Sequence, residues 1–134
     1  MFDYSFASSC NFKLNFRAVR NMGGLLIVDE VNTGFGRCGS GGFWSYQMHE
    51  GVVPDIVVLG KPIGNGYPMG VVVTTEAIGR SFPDCLNVHE YRGNPLASAV
   101  GVAVINVLRT ENMLYTACII GNLLIKVSPH KRVI

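Results

Sequence analysis

The sequence predicts an α/β fold, a mostly parallel sheet with helices on both faces. Three observations predict it. Residues 25–28 (LLIV), 56–59 (IVVL) and 71–75 (VVVTT) are short apolar or β-branched runs bounded by glycine, proline or acids, the pattern of strands buried on both faces. Segments with helical spacing stand before and after them, which is the alternation of an α/β chain. Charged residues are 15% and apolar residues 49%, so the chain packs rather than staying disordered.

Each element follows in order. Residues 12–22 place Phe12, Phe16 and Val19 on one face with Arg17 and Arg20 off it, an amphipathic helix tail that Gly23-Gly24 stops. Residues 25–28 run straight into Asp29-Glu30 as the first strand. Residues 32–42 are rich in glycine and must be loop, and residues 43–49 form one short helix. Pro54-Asp55 opens the second strand, 56–59, which ends at Gly60-Lys61-Pro62 and another Gly/Pro-rich loop. The third strand, 71–75, leads into a short helix over 76–82. Residues 84–94 are irregular. Pro95 starts a helix through 108, where its missing N–H does no harm, and a last helix covers 111–125. Three strands apolar on both faces cannot be covered by two helices, so further elements are expected before Phe12 and after Val127.

Composition removes several function classes. With 134 residues the chain is about one small domain. Eleven Lys and Arg against nine Asp and Glu give a net charge of +2, too balanced for a nucleic-acid binder. The mean hydropathy of +0.31 is high for a small domain, which needs polar cover, so the chain reads as the inside of something larger. The longest apolar stretch, residues 95–108, falls short of the roughly 20 residues a bilayer requires and reads as a buried helix, so no membrane is expected. The N-terminus lacks the apolar core of about 7–15 residues of a secretory signal. Cys10, Cys38, Cys85 and Cys118, with His49, His89 and His130, show no metal-ligand spacing, so they read as incidental residues of a reducing compartment.

The functional signal is Asp29 at the carboxyl end of the first strand and Lys61 at the end of the second. Ligands of open α/β sheets bind beyond those ends. Spacing alone leaves a buried structural ion pair equally open. Glycines on the loop side of each residue tilt the balance, since close approach of backbone to a ligand would require them.

Leu25 to Gly36 (LLIVDEVNTGFG) and Pro54 to Gly70 (PDIVVLGKPIGNGYPMG) resemble, at the right separation, the paired motif of the class III pyridoxal-phosphate aminotransferases, a branch of the fold-type I enzymes. The similarity runs from about Phe16 to Leu124 and covers only a minor part of a full-length enzyme. The resemblance implies that the third strand runs antiparallel to the lysine-bearing one, and it implies a cofactor, pyridoxal 5'-phosphate. It makes Asp29 the carboxylate that keeps the pyridine nitrogen protonated, and Lys61 the catalytic lysine that forms the Schiff base and shuttles the α-proton. It places Val31 against the cofactor ring and Asn32 where the family has a glutamine on the ring's phenolic oxygen, one methylene longer. Glu30 reads as structural, and Arg37 matches a family position without an assignable role. The family's phosphate-binding threonine falls at Glu90, with Arg92 in place of a glycine. A carboxylate there would repel phosphate unless Arg92 compensates.

The resemblance implies three segments: a divergent N-terminus, 1–11; part of the large domain of a pyridoxal-phosphate-dependent transferase, 12–127; and a divergent tail, 128–134. It implies amino-group transfer between an amino acid or amine and a 2-oxo acid such as pyruvate or glyoxylate. The segment Gly60 to Gly66 looks most like the branch of the mitochondrial alanine–glyoxylate type and its phospholyase relatives. That branch leaves two alternatives: a phospholyase acting on a phosphorylated amine, or a non-catalytic fragment. Small-molecule amino donor and 2-oxo acid partners, a homodimer in the full-length form, and a mitochondrial or cytoplasmic location follow from the same resemblance.

Overall fold

Asp55, just ahead of the second strand, ties the first three elements together. In the computed structural model, which describes residues 9–39, 42–81 and 93–127, its Oδ1 accepts from Arg20 Nη1 at 2.6 Å and its Oδ2 accepts from the Leu26 N–H at 2.7 Å. Arg20 lies in the last turn of helix α1 (Ser9–Asn21), and Leu26 immediately precedes strand β1 (Ile27–Asp29). The strand starts two residues later than the apolar run, because the Leu26 N–H bonds to this side chain rather than to a neighbouring strand.

Strand β1 pairs in parallel with β2 (Ile56–Leu59), with Ile27 opposite Ile56 and Asp29 opposite Val58. Strand β3 (Val71–Thr74) pairs antiparallel to β2, with Leu59 opposite Val71, so the sheet order is β1-β2-β3. The described sheet is therefore mixed, one parallel and one antiparallel pair: the antiparallel third strand is the one the family resemblance implies, while a mostly parallel sheet is not seen among the described residues. The physical reason is the connection over residues 60–70. It holds a single 3-10 turn, Lys61–Ile63, and lacks the helix a parallel crossover needs.

Helix α2 (Glu76–Ser81) follows β3. Helix α3 (Pro95–Thr110) starts at Asn94, whose side chain accepts from the Leu96 and Ala97 N–H groups at 2.9 and 3.2 Å, capping two orphan donors. Helix α4 (Met113–Val127) packs against α3 after a turn at Asn112. The segment read as a short helix over 43–49 is a 3-10 turn, Ser45–Met48. No helix among the described residues is long and apolar enough to cross a membrane.

The buried core is small: Phe35, Leu59 and Ile63, with Trp44, Met69 and Ile105 among the side chains packed around it. The expectation of strands buried on both faces is not met by the described residues. Ile27 is 60% exposed, Val72 64%, and Ile125 on α4 67%. The irregular stretch over 84–94 up to residue 92, the Glu90 and Arg92 substitutions, Cys85, His89, His130, residues 1–8 and the tail 128–134 lie outside the described residues.

Candidate functional site

The parallel pairing of β1 and β2 brings their carboxyl ends to one edge of the sheet. Asp29 is the last residue of β1, and Lys61 follows Leu59 and Gly60 at the end of β2. Both side chains are exposed. They do not pair with each other. Among the described residues the ion pairs are Arg20–Asp55 and Arg80–Glu76, so the alternative of a structural Asp29–Lys61 pair is not observed.

A tight turn links the two strand ends. The Gly34 N–H bonds back to Glu30 O at 3.0 Å, and the Val31 N–H donates to Asp29 Oδ1 at 2.9 Å. The next residue, Asn32, receives Lys61 Nζ on its Oδ1 at 2.7 Å. Val31 leans over Gly60, where an added Cβ would lie 3.4 Å from Val31 Cγ1. Asp29, Val31, Asn32 and Lys61 thus form one connected set. Lys61 itself sits at φ +28°, in the left-handed region that side-chain-bearing residues avoid.

The donor set fits an aromatic cofactor carrying an aldehyde and a ring nitrogen. Asp29 Oδ2 has no donor among the described residues and could accept a ring N–H. Lys61 offers a primary amine to solvent, Val31 an aliphatic face, and Asn32 an amide beside the amine.

Two features differ from expectation. Two of the glycines after β1, Gly36 and Gly39, make room for α4. A Cβ at Gly36 (φ +79°) would fall 2.4 Å from Leu114 Cγ, and one at Gly39 (φ +70°) 2.8 Å from the Cys118 backbone nitrogen. Glu30, read simply as structural, is the one buried charge among the described residues, at 0% exposure. Its Oε2 accepts from Thr33 Oγ1 at 2.6 Å, and its Oε1 from Ser45 Oγ at 2.7 Å and the Tyr46 N–H at 3.0 Å. Thr33 and Ser45 stand on opposite limbs of a loop, so no spacing in the sequence announces the cluster. Burial, and secondarily the charge of Glu30, pushes the Cys38 thiol up from its ordinary value. That keeps it protonated and a poor nucleophile.

A cleft of about 530 Å³ opens beside the set, between Phe35, Arg37, Pro62 and Asn65 on one side and Val107 and Met113 of the two long helices on the other. Neither Asp29 nor Lys61 lines it. No cluster of potential metal ligands occurs among the described residues.

The family model "Aminotransferase class-III" matches residues 10–127. Human mitochondrial alanine–glyoxylate aminotransferase 2 is 50% identical over 99 residues, covering 73% of this chain and 19% of its own. The ethanolamine-phosphate phospho-lyase homolog 1 of Caenorhabditis elegans is 45% identical over 98 residues, 72% of this chain and 21% of its own. The solved structure of a phospholyase from Arthrobacter, in complex with phosphoethanolamine, superposes with a TM-score of 0.78 at 41% identity, over 87% of this chain and 27% of that one. The chain spans about a fifth of the length of these curated relatives.

Proposed function

The chain belongs to the class III aminotransferases, and from that premise we propose that the β1 and β2 strand ends hold pyridoxal phosphate and act on the amino group of a small amine. The observation that carries the proposal is the delivery of Asp29 and Lys61, unpaired with each other, to the same edge of the sheet. When bound, pyridoxal phosphate supplies an electron sink for the charge left when a bond to the amine-bearing carbon breaks. Asp29 holds a proton at the ring nitrogen. Lys61 Nζ is the primary amine that would hold the cofactor's aldehyde carbon, and as a free amine at that place it would take and return a proton at the substrate carbon. Asn32 orients that amine, and Val31 packs against the ring.

Two chemistries use this arrangement. Elimination of phosphate from a phosphorylated amine is the reading we favour, supported by the likeness to the Arthrobacter phospholyase and to the nematode homolog. Amino transfer to a 2-oxo acid is the second reading, supported by the 50% identity to the human aminotransferase. Residues 12–127 are then part of a large cofactor-binding domain, with 1–11 and 128–134 divergent. The active form is a homodimer of longer subunits, mitochondrial or cytoplasmic.

The test is a paired assay of the protein expressed together with its flanking genomic coding sequence. Phosphoethanolamine should release inorganic phosphate faster than alanine and glyoxylate yield pyruvate. The reverse ratio selects transfer. Neither product, with Lys61 still labelled by cofactor, leaves a fragment that binds without turning over.

A further inference from the structure

We propose that Glu30 is a positioning residue for Asn32, and through Asn32 for the Lys61 amine. Every polar atom of Glu30 is committed. Its N–H donates to Val58 O at 2.8 Å, extending the β1–β2 pairing one step beyond Asp29. Its carbonyl accepts from Gly34, which closes the turn. Its carboxylate takes three donors, from Thr33, Ser45 and Tyr46, and the two hydroxyls lie 3.2 Å from each other. A carboxylate at 0% exposure with no cation bonded to it among the described residues is tolerable only while those donors stay in place.

Glu30 and Thr33 flank Val31 and Asn32. The bond between them fixes the backbone on both sides of Asn32, and Ser45 and Tyr46 anchor the far limb of the loop to the same carboxylate. Asn32 is exposed and makes no other side-chain hydrogen bond among the described residues, so its direction is set by the turn that carries it. Its Oδ1 meets Lys61 Nζ at 2.7 Å. The chain of contacts runs from a buried acid to an exposed amine. Its bearing on cofactor binding rests on the proposed function; the positioning itself does not.

The experiment is competitive acetylation of the 134-residue chain, reading Lys61 against Lys126 on α4 as internal reference by peptide mass spectrometry. A lysine held by an acceptor reacts more slowly. Glu30→Ala should raise the Lys61/Lys126 ratio by about fivefold, the size of effect the release of one ordinary, solvent-exposed hydrogen bond gives. Asn32→Ala should raise it equally, and the double variant no further, because both act through one contact. Glu30→Gln should stay within about twofold of wild type, since the amide still accepts from Ser45 and Tyr46 and can donate to Thr33. A merely structural acid would raise all lysines together and add to Asn32→Ala; that result overturns the proposal, as does an unchanged ratio in Asn32→Ala. If Glu30→Ala does not fold, Thr33→Val, which removes one donor at constant shape, must shift the ratio in the same direction, and an unchanged ratio there overturns it too. Labelling of Lys61 by pyridoxal phosphate and borohydride decides the cofactor reading separately.

Discussion

Lys61 carries its amine on backbone that suits glycine better, at φ +28°. Strain of this kind costs on the order of 1 kcal/mol and concentrates at functional sites. Lys61→Gly should therefore unfold at higher denaturant than Lys61→Ala, by about 1 kcal/mol, while both lose the borohydride-fixed pyridoxyl label. Retention of that label in either variant at wild-type stoichiometry would move the assignment to Lys13, Lys126 or Lys131. Gly39 makes the opposite demand. Its φ of +70° and the Cys118 backbone nitrogen 2.8 Å from a would-be Cβ leave no room, so Gly39→Ala should cost about 2 kcal/mol or more in chemical denaturation. Asp29 and Lys61 were legible in the sequence because each ends an apolar run at the carboxyl end of a strand, and Val31 and Asn32 only through the family resemblance. Glu30 was not, because what distinguishes it is burial against Thr33 and Ser45, a property of loop closure that no local pattern encodes.

Asp55 pins the end of α1 to the starts of β1 and β2. The Leu26 N–H, and then the Arg20 guanidinium, hold its carboxyl below the ordinary value of 3.8. Because the folded value is the lower one, the contact stabilises fully above 3.8 and is lost as pH falls through the folded value. Urea midpoints should thus drop between pH 5 and pH 3 by more in wild type than in Asp55→Asn, which carries no titrating group there. Equal drops would show that other carboxylates govern acid unfolding. The same residue explains why β2 coincides with its apolar run while β1 begins at Ile27 rather than Leu25: the Asp55 side chain, just ahead of β2, engages the Leu26 N–H. The glycine-rich stretch after β1 is loop, as its composition predicts, yet Gly36 and Gly39 in it fit helix α4, a partner many residues away that sequence alone does not bring near.

At the scale of the molecule, exposed Ile27, Val72, Leu124 and Ile125 leave apolar surface on the sheet and on α4 without cover. The 134-residue chain should self-associate at micromolar concentration; a monodisperse monomer in light scattering would refute this. The α/β class was legible from the alternation of elements. The reversal at β3 was legible through the family resemblance and not through its apolar pattern, since a short β-branched run has no intrinsic direction and the brevity of residues 60–70 decides it. That reversal has a consequence for Lys61. With Leu59 opposite Val71, the link leaves and re-enters the sheet at the same rim, so the segment bearing the amine is tethered at both ends within a single strand spacing. A parallel third strand would have sent the chain to the far end of the sheet and made Lys61 the start of a long excursion. The antiparallel return keeps its tether short, reduces the volume the amine can sample, and raises its effective concentration at the strand ends before any ligand arrives.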